Sequence, residues 1–435
     1  MCQFVRRGLA TWLLCAGIVP AATATAEIRL QPQELDTRLQ VGYAVRVLDV
    51  NGDQQLDIAI VDSKRVLWLE GPTWKEHVIY ETPNAQFDNV CFAPHDIDGD
   101  GRVDFALGAD WQFGNSDSGG SIGWLQHTPR GPWIYHPLAS EPTTHRMQWI
   151  ALGDAQEPAL IVAPLKGRGS RPPGFDQVGI RLLAFSPPAN PLDMPWPVEV
   201  LTDQLHVMHN LDECDLDGDG QSEIMAASYE GATWIRRGKQ GDIHLKRLGA
   251  GQQEPAPKRG ASEIRVGRLA GGRPYLATIE PWHGDKVVVY VAPQGWTADD
   301  AKPATPQSAT AQELQSATAS GLWPRSVLDE QLAWGHAVAC ADLDGDADQE
   351  LIIGIRDDQN DAHRRGLRIY DPQPASADAS GQVDWQRSLH DPGGVAIEDL
   401  TVGDLDGDGD NDIVAVGRAT HNVKIYWNQQ ASPQP

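Results

Sequence analysis

One nine-residue acidic loop recurs along this chain and constrains its fold more than any other feature. The clearest copy, Asp215–Glu223, has carboxylates at positions 1, 3, 5 and 9 and glycines at positions 4 and 6. Four further copies begin at Asp49, Asp96, Asp342 and Asp404. Each copy is preceded by one apolar, β-prone run and followed by another, so each loop is predicted to join two β-strands.

The runs around each loop form one repeating unit of four predicted strands. In the first copy, residues 43–48 enter the loop, residues 58–61 leave it, a third run contains Trp68, and a fourth run follows Trp74. Helical periodicity is almost absent, and four antiparallel strands per repeat are typical of a β-propeller blade. The pattern therefore predicts an all-β chain.

Counting the repeats gives the number of blades. Two repeats, at 145–196 and 262–323, lack the acidic loop, and with the five acidic copies they make seven. The last repeat ends after its third strand at Trp427, so the segment 28–39 is predicted to supply the missing strand and close the ring from both termini. We predict one seven-bladed β-propeller of four-stranded antiparallel blades over residues 27–435, with a disordered insertion near 297–320.

The N-terminus is typical of a secretory signal peptide. Arg6 and Arg7 precede an apolar run at 9–20, and Ala24–Thr25–Ala26 matches an A-x-A cleavage site. We expect residues 1–26 to be removed and the mature protein to be secreted or periplasmic. No other apolar run approaches the ~20 residues of a membrane span.

The acidic loops explain the chain's charge. The formal net charge is −25, and carboxylates at the loop positions account for most of the acidic excess. Cations are therefore the expected partners, and nucleic acid is not. Calcium takes six to eight oxygen ligands, which suits this spacing, and its expected role is structural, with a weaker first site because Asn51 replaces an aspartate. The predicted calcium ligands are Asp49, Asn51, Asp53, Asp57, Asp96, Asp98, Asp100, Asp104, Asp215, Asp217, Asp219, Glu223, Asp342, Asp344, Asp346, Glu350, Asp404, Asp406, Asp408 and Asp412.

Two family resemblances follow from these motifs. The acidic loop with its following strand resembles the FG-GAP or VCBS repeat of seven-bladed propellers, which implies the fold but no chemistry. The segments Thr144–Trp149, His206–Asn210 and Trp334–His336 are similar to the propeller of the aldos-2-ulose dehydratase family. That resemblance implies a lyase that removes water from keto-sugars such as 1,5-anhydrofructose with help from a divalent metal.

Histidines precede several acidic loops at matched distances. The first strand of a propeller blade lines the central channel, and its N-terminal end lies on the face opposite the acidic loops. Six residues before the equivalent loop position stand Gln148, His209, His336 and Glu398, and nine before stand His145 and His206. Imidazoles from separate blades favour Zn²⁺, Mn²⁺ or Fe²⁺. The predicted ligands are His145, His209 and His336, with His206, Glu398 or Gln148 completing the shell.

The loops between second and third strands on the same face supply further candidates. β-Elimination next to a ketone needs a base, an electrophile for the enolate and an acid for the leaving oxygen. The candidate catalytic residues are His283, Tyr229, Lys166 and Arg356, and the candidate sugar-binding residues are Trp111, Trp282, Trp334, Arg146 and Glu230. The base itself is left open.

Three functions remain open from the sequence. The first is a secreted, metal-dependent carbohydrate lyase or dehydratase acting on a keto-sugar at the channel mouth. The second is a calcium-stabilised propeller that binds glycans or proteins without turnover. The third is a polysaccharide lyase on uronates, in which Lys166 and Arg356 would neutralise the carboxylate.

Overall fold

The structure is a computed structural model that describes residues 27–83, 86–255, 257–297, 321–358, 364–373 and 383–429. The predicted signal segment and residues 298–320 of the predicted insertion lie outside these ranges. The described residues form twenty-eight β-strands and no helix. None of them therefore forms a helix long and apolar enough to cross a membrane.

The strands form seven antiparallel sheets of four, which confirms the predicted propeller. Blades 1 to 3 consist of β2 (Gly42–Leu48), β3 (Asp57–Asp62), β4 (Arg65–Glu70) and β5 (Lys75–Glu81); β6 (Cys91–His95), β7 (Asp104–Ala109), β8 (Ser121–Gln126) and β9 (Ile134–Ser140); and β10 (Thr144–Ile150), β11 (Ala159–Pro164), β12 (Leu182–Phe185) and β13 (Val198–Thr202).

Blades 4 to 7 follow in chain order. They consist of β14 (Asn210–Cys214), β15 (Glu223–Ser228), β16 (Gly231–Arg237) and β17 (Ile243–Gly249); β18 (Ile264–Arg268), β19 (Pro274–Glu280), β20 (Lys286–Val291) and β21 (Arg325–Asp329); β22 (Gly335–Ala341), β23 (Glu350–Ile355), β24 (Gly366–Gln373) and β25 (Asp384–Asp391); and β26 (Ile397–Gly403), β27 (Asp412–Gly417), β28 (Val423–Asn428) and β1 (Leu30–Glu34).

Blade 7 closes the ring with strands from both ends of the chain. The N-terminal strand β1 pairs antiparallel with β28, from Leu30 opposite Asn428 to Glu34 opposite Lys424. The segment 28–39 thus supplies the fourth strand that the last repeat lacks, as its position in the sequence predicts. Pairing both termini in one sheet protects the strand edges that an open ring would expose.

The core lies between the blades. The second strands β3, β7, β15, β19, β23 and β27 are buried at every position. Blades pack face to face, so both faces of these strands are covered and their sequences are continuously apolar rather than alternating. Trp124 and Trp234, on the third strands of blades 2 and 4, fill the space between sheets and are almost fully buried.

The first strands β2, β6, β10, β14, β18, β22 and β26 line the central channel, and their direction sets the two faces of the ring. In blade 4, His209 directly precedes β14 and Asp215 directly follows it. Because the innermost strands of all blades run in the same direction, the acidic loops lie on one face and the N-terminal ends of the strands on the other.

Candidate functional site

A cavity of about 380 Å³ opens at the N-terminal ends of the inner strands. Its lining comes from the residues just before or at the start of β2, β10, β14, β22 and β26, and from loops between second and third strands. Lys258, from the connection between β17 and β18, completes it. This volume lies within the range of small-molecule sites in proteins. We refer to it as the channel-mouth cavity.

Four histidines from separate blades meet on the floor of this cavity. The Nε2 atom of His209 lies 3.1 Å from Nε2 of His145 and 2.8 Å from Nε2 of His283. The ring centroids of His283 and His336 are 4.9 Å apart. One ligand atom from each of His209, His283 and His336 lies within 4.8 Å of the other two, which is close enough for all three to hold one metal ion.

Polar contacts on the far side of the rings fix how these histidines face the cavity. Nδ1 of His336 lies 2.6 Å from the backbone carbonyl of Glu398, and a carbonyl only accepts, so His336 carries its proton on Nδ1. Nδ1 of His209 lies 2.7 Å from a carboxylate oxygen of Glu263, which favours the same tautomer. Both rings therefore direct an unprotonated Nε2 into the cavity, as in histidine ligands oriented by a second partner.

His145 adds an electrostatic reason for a cation. Nη1 of Arg146, which can only donate, lies 3.2 Å from Nε2 of His145. Nε2 of His145 is therefore an acceptor, and it lies 3.1 Å from the acceptor Nε2 of His209. Two lone pairs at this distance repel each other unless a positive centre lies near both, so the donor set fits a metal ion with nitrogen ligands.

Burial keeps these imidazoles neutral. Desolvation, with smaller contributions from Arg146, Arg356 and the neighbouring imidazoles, lowers the pKa of His145, His283 and His336 well below the usual value. The pKa of His209 is also lowered by burial, although Glu263 opposes the shift. Neutral imidazole is the form that binds metal, so the site is electrostatically prepared for it.

Aromatic side chains form one wall of the cavity. Trp111 stacks on the ring of His145 with centroids 4.8 Å apart, and Trp282 contacts His283 at 4.4 Å. Phe113, from the same loop as Trp111, lies 6.5 Å from Trp282 and is 54% exposed at the mouth. Such a surface suits the apolar C–H face of a sugar ring.

Another part of the lining is charged. Nη1 of Arg418 donates to Oε1 of Glu398 at 2.7 Å, and Nη1 of Arg356 lies 3.5 Å from Oε2 of the same carboxylate. Lys258 lies over the ring of Trp334 at 4.8 Å. Burial raises the pKa of Glu398, while Arg418 and Arg356 counteract part of the rise. We call Lys258, Arg356, Glu398 and Arg418 the charged wall.

Several backbone positions on this face adopt the left-handed conformation without being glycine. Positive φ angles of 47° to 58° occur at Asp110, Thr143, Val207, His283 and Trp334. Each such residue costs on the order of 1–3 kcal/mol, and this strain is most unfavourable for a β-branched residue such as Val207. Strain concentrated beside the cavity is typical of a functional face held in place by its surroundings.

The structure does not bring all the candidates into the cavity. His206 pairs with Glu230, at 2.9 Å between Nδ1 and Oε1, and neither residue lines the cavity. Tyr229 is buried in a small apolar cluster with Leu165 and Val207. These three candidates therefore stabilise the loops around the cavity and do not line it.

Lys166 also lies behind the cavity wall. Its Nζ donates to the carbonyl of Phe113 at 2.5 Å and lies 3.6 Å from the centre of the Phe113 ring and 3.8 Å from that of Phe175. Burial lowers the pKa of Lys166 to about 8. The ammonium therefore holds the loop that carries Phe113.

Other lining residues were absent from the candidates. Arg418 had a usable signal, because it lies fourteen residues after Asp404, just as Arg356 lies fourteen after Asp342. Phe113 and Lys258 come from irregular loops with no equivalent in neighbouring repeats, so the repeat pattern does not identify them.

The acidic loops on the opposite face share one conformation. In the loop of blade 4, Asp215 accepts hydrogen bonds from the backbone N–H groups of Asp219 and Gly220, both at 3.0 Å. The buried Glu223 at position 9 accepts from the backbone of Leu216 at 2.9 Å. Four loops bring carboxylates close enough to share a cation: Asp215, Asp217, Asp219 and Glu223; Asp96, Asp98 and Asp104; Asp342, Asp344 and Glu350; and Asp404, Asp406 and Asp412.

The ninth carboxylate of each loop is electrostatically strained without a cation. Burial, with nearby carboxylates adding to it, raises the pKa of Glu223 to about 7 and that of Glu350 to about 9. In the loop of blade 1 the predicted weakening by Asn51 has a structural counterpart, because its amide donates to Asp53 at 3.2 Å. The donor set of the other loops fits calcium, which would compensate the crowded carboxylates.

Comparisons with known proteins agree with the fold and the resemblance. Residues 119–293 match the family model of the aldos-2-ulose dehydratase beta-propeller domain. Over 360 residues, 76% of this chain, the sequence is 23% identical to aldos-2-ulose dehydratase of Phanerodontia chrysosporium, of whose length the match covers 36%. The predicted resemblance to this family is thus confirmed, while the chain spans about a third of that relative.

Solved structures show the same architecture at low identity. A crystal structure of BBS1N in complex with ARL6DN contains a chain that matches 92% of this one with a TM-score of 0.51 and 13% identity. A chain in the crystal structure of a mitotic checkpoint complex matches 98% of this one with a TM-score of 0.51 and 11% identity. These likenesses concern the fold alone.

Proposed function

We propose that this protein is a metal-dependent sugar lyase that dehydrates a keto-sugar in the channel-mouth cavity. The observation that carries the proposal is the convergence of His209, His283 and His336 within 4.8 Å, beside an aromatic wall. The similarity to an aldos-2-ulose dehydratase supports the reaction class, and the whole relative's activity comes to this chain only as part of the proposal.

The residues present define roles for such a reaction. His209, His283 and His336 would hold a divalent transition metal, with His145 adjacent, and the metal would supply a Lewis acid for a carbonyl oxygen. Trp111 and Trp282 would hold the sugar ring against the floor. Glu398 is the carboxylate that lines the cavity, and its pKa is raised by burial, so we assign it the removal of the proton next to the ketone.

Two measurements on the purified full chain test this proposal. After mild treatment with a calcium chelator, metal analysis should find about one transition-metal ion per chain that resists removal. Incubation with 1,5-anhydrofructose and related keto-sugars should then give an unsaturated product detectable by its ultraviolet absorbance. His209→Ala should lose both the metal and the turnover, whereas His244→Ala, a residue paired with Asp242 outside the cavity, should keep both.

The alternative of a non-catalytic glycan-binding propeller predicts a different result. Calorimetry would then show saturable binding of sugars with no product in any keto-sugar incubation. If the purified chain held calcium alone and His209→Ala left turnover unchanged, the proposed metal site would be refuted.

We also propose that the acidic loops bind structural calcium and that the chain is exported. The arrays of carboxylates around Asp96, Asp215, Asp342 and Asp404 support the first proposal. The basic and apolar segment before Glu27 supports the second. Calcium counts by mass spectrometry under native conditions test the first, and N-terminal sequencing of the exported protein, expected to begin near Glu27, tests the second.

A further inference from the structure

The lining of the channel-mouth cavity has the opposite charge to the rest of the protein. The whole chain has a formal net charge of −25. Yet the ionisable groups of the cavity lining, leaving tyrosine and imidazole aside, are three cations, Lys258, Arg356 and Arg418, and one carboxylate, Glu398. A local excess of positive charge in a concave site concentrates anions there against the field of an acidic protein.

Neutralising Glu398 does not account for this excess. One guanidinium suffices to pair a carboxylate, and Arg418 does so at 2.7 Å. Arg356 lies 3.5 Å from the other oxygen and also pairs with Asp357, whose contact to Nε measures 2.8 Å. Even with Asp357 counted, the three cations exceed the two carboxylates.

The third cation, Lys258, differs from the two arginines in its surroundings. Among the residues that the structure describes, Lys258 forms no ion pair, and its ammonium lies over Trp334, whose ring also packs against Arg356 at 4.9 Å. Trp334 therefore has cations stacked against it, which makes it a support for the charged wall rather than a platform for a sugar ring.

The guanidinium groups are also held in place before any ligand arrives. Arg356 is only 11% exposed and is fixed by Glu398, Asp357 and Trp334. Arg418 donates a hydrogen bond from Nη1 to Glu398 and lies over the ring of Tyr43 at 5.3 Å. A guanidinium has five N–H donors, so each retains donors for a planar, bidentate partner, and a carboxylate matches that geometry.

From these contacts we infer that the charged wall is a carboxylate subsite and that the sugar bound in the channel-mouth cavity is a sugar acid. The inference rests on the proposed function for the identity of the ligand as a sugar, and on the charged wall alone for its negative charge. The carboxylate would lie against Arg356 and Arg418, with the ring on the aromatic wall formed by Trp111, Phe113 and Trp282.

Binding of matched sugars tests the inference without requiring turnover. Calorimetry on the full chain compares 2-keto-gluconate with fructose, which differ by a carboxylate in place of a hydroxymethyl group, and glucuronate with glucose. We expect each acid to bind about tenfold more tightly than its neutral partner, and the preference to shrink as salt is raised. Arg418→Gln should remove most of the preference while leaving the affinity for the neutral sugars within about twofold.

Two further variants keep the test decisive. Lys258→Met leaves Glu398 paired and should weaken the acids by about threefold, since it removes one exposed charge. Arg387→Gln, an arginine on the outer strand of blade 6 that pairs with Asp329, should change neither affinity and serves as the matched control.

The outcomes separate this inference from the proposed function. If neutral sugars bind as tightly as the acids, or if the preference survives in both Arg418→Gln and Lys258→Met, the carboxylate subsite is refuted even where keto-sugar turnover is found. If the acids are preferred but no sugar is turned over, the subsite stands and the lyase proposal fails. Tighter binding of fructose 1-phosphate than of 2-keto-gluconate would overturn the assignment to a carboxylate.

Discussion

The two ends of the same inner strands behave differently. In blade 4, the strand that begins after His209 ends before Asp215, so a single stretch of chain contributes to the cavity and to an acidic loop. On the loop face, five blades repeat nearly the same hydrogen bonds, and each loop is complete by itself. On the cavity face, each blade contributes a different side chain, and no single blade makes a site.

This difference separates what builds the ring from what the ring can do. The acidic loops contact mainly their own backbone, as when Asp96 accepts from Asp100 at 3.0 Å, so one can be omitted without affecting the others. Blades 3 and 5 omit it. The cavity depends on contacts between blades, such as His209 with His283 and Glu263, so a change in one blade disturbs groups held by the next.

The largest effect is expected from removing a histidine of the cavity floor. His336→Ala deletes a proposed metal ligand on a ring that is almost fully buried, so turnover should fall by on the order of 10²–10³-fold, as when charge stabilisation in a transition state is lost. The midpoint of thermal unfolding, measured in the presence of calcium, should change only slightly. A keto-sugar assay measures the loss of turnover, and differential scanning calorimetry measures the unfolding midpoint.

The matched change on the loop face should show the reverse pattern. Asp404→Ala removes the first ligand position of the blade 7 loop and should lower thermal stability in calcium while leaving turnover within about twofold. Equal losses of turnover in His336→Ala and Asp404→Ala would contradict the division of the molecule into a structural face and a chemical face.

The next effect tests how contacts between blades position a ligand. Burial would raise the pKa of Glu263, but His209, Arg146 and Asn210 together lower it, so the carboxylate is charged and holds His209 by Nδ1. Glu263→Gln should weaken transition-metal affinity about 10–100-fold. Turnover should recover when metal is added in excess, which marks a positioning residue.

Glu199→Gln is the control for this change. Glu199 forms an exposed ion pair with Arg237 on the outer part of the ring. Its substitution should leave metal affinity unaltered. Unchanged metal affinity in Glu263→Gln as well would show that the carboxylate does not orient His209.

The sequence predicts the repeated part of this molecule well because the spacing of the repeats fixes where each strand begins and ends. The spacing of the acidic loops is enough to place seven blades, and it assigns 28–39 to the last of them, where Leu30–Glu34 pairs with β28. The same counting selects His209, His336 and Glu398, which the structure brings to one cavity. Gln148, which the same counting selects, does not line this cavity, because the first strand of blade 3 places His145 there instead.

The repeat spacing does not predict the position of residues that depend on irregular loops. The counting places His206 in register with His145, but in the structure His209 occupies that position. His145 and His209 each lie two residues after a residue with positive φ, so His206 lies three residues too early and pairs with Glu230. Lys166 follows its strand as predicted, but the loop that carries Phe113 folds over it. A sequence pattern does not encode these turns, because they are set by packing between different blades.

A smaller effect should appear in the pH dependence of stability on the loop face. Burial raises the pKa of Glu223 from the usual 4.5 to about 7, so without calcium the folded protein retains a proton that the unfolded chain releases. Stability should therefore fall as pH rises from about 4.5 to about 7, by roughly 1–2 kcal/mol for this group after solvent screening. Calcium compensates the charge and should flatten the slope.

Thermal unfolding at pH 5 and pH 8, with calcium and with a chelator, measures this slope. Glu223→Gln should reduce the slope in the chelator and leave it unchanged in calcium. A slope in the chelator that is the same in Glu223→Gln as in the parent protein would show that Glu223 is not strained in this way.

The smallest effect concerns the one loop in which an amide replaces a ligand. Asn51 donates to Asp53 at 3.2 Å, so the amide takes the place that a cation would hold between carboxylates in the other loops. Asn51→Asp restores a charge at position 3 and should raise the calcium count by about one ion per chain, because charge at the ligand positions tunes calcium affinity. Asp217→Asn makes the opposite change at the same position of the blade 4 loop and should lower the count by the same amount. Native mass spectrometry measures both, and counts that do not move in opposite directions would mean that the loops are not equivalent sites. Neither change should alter sugar binding at the cavity, because each loop is complete within its own blade.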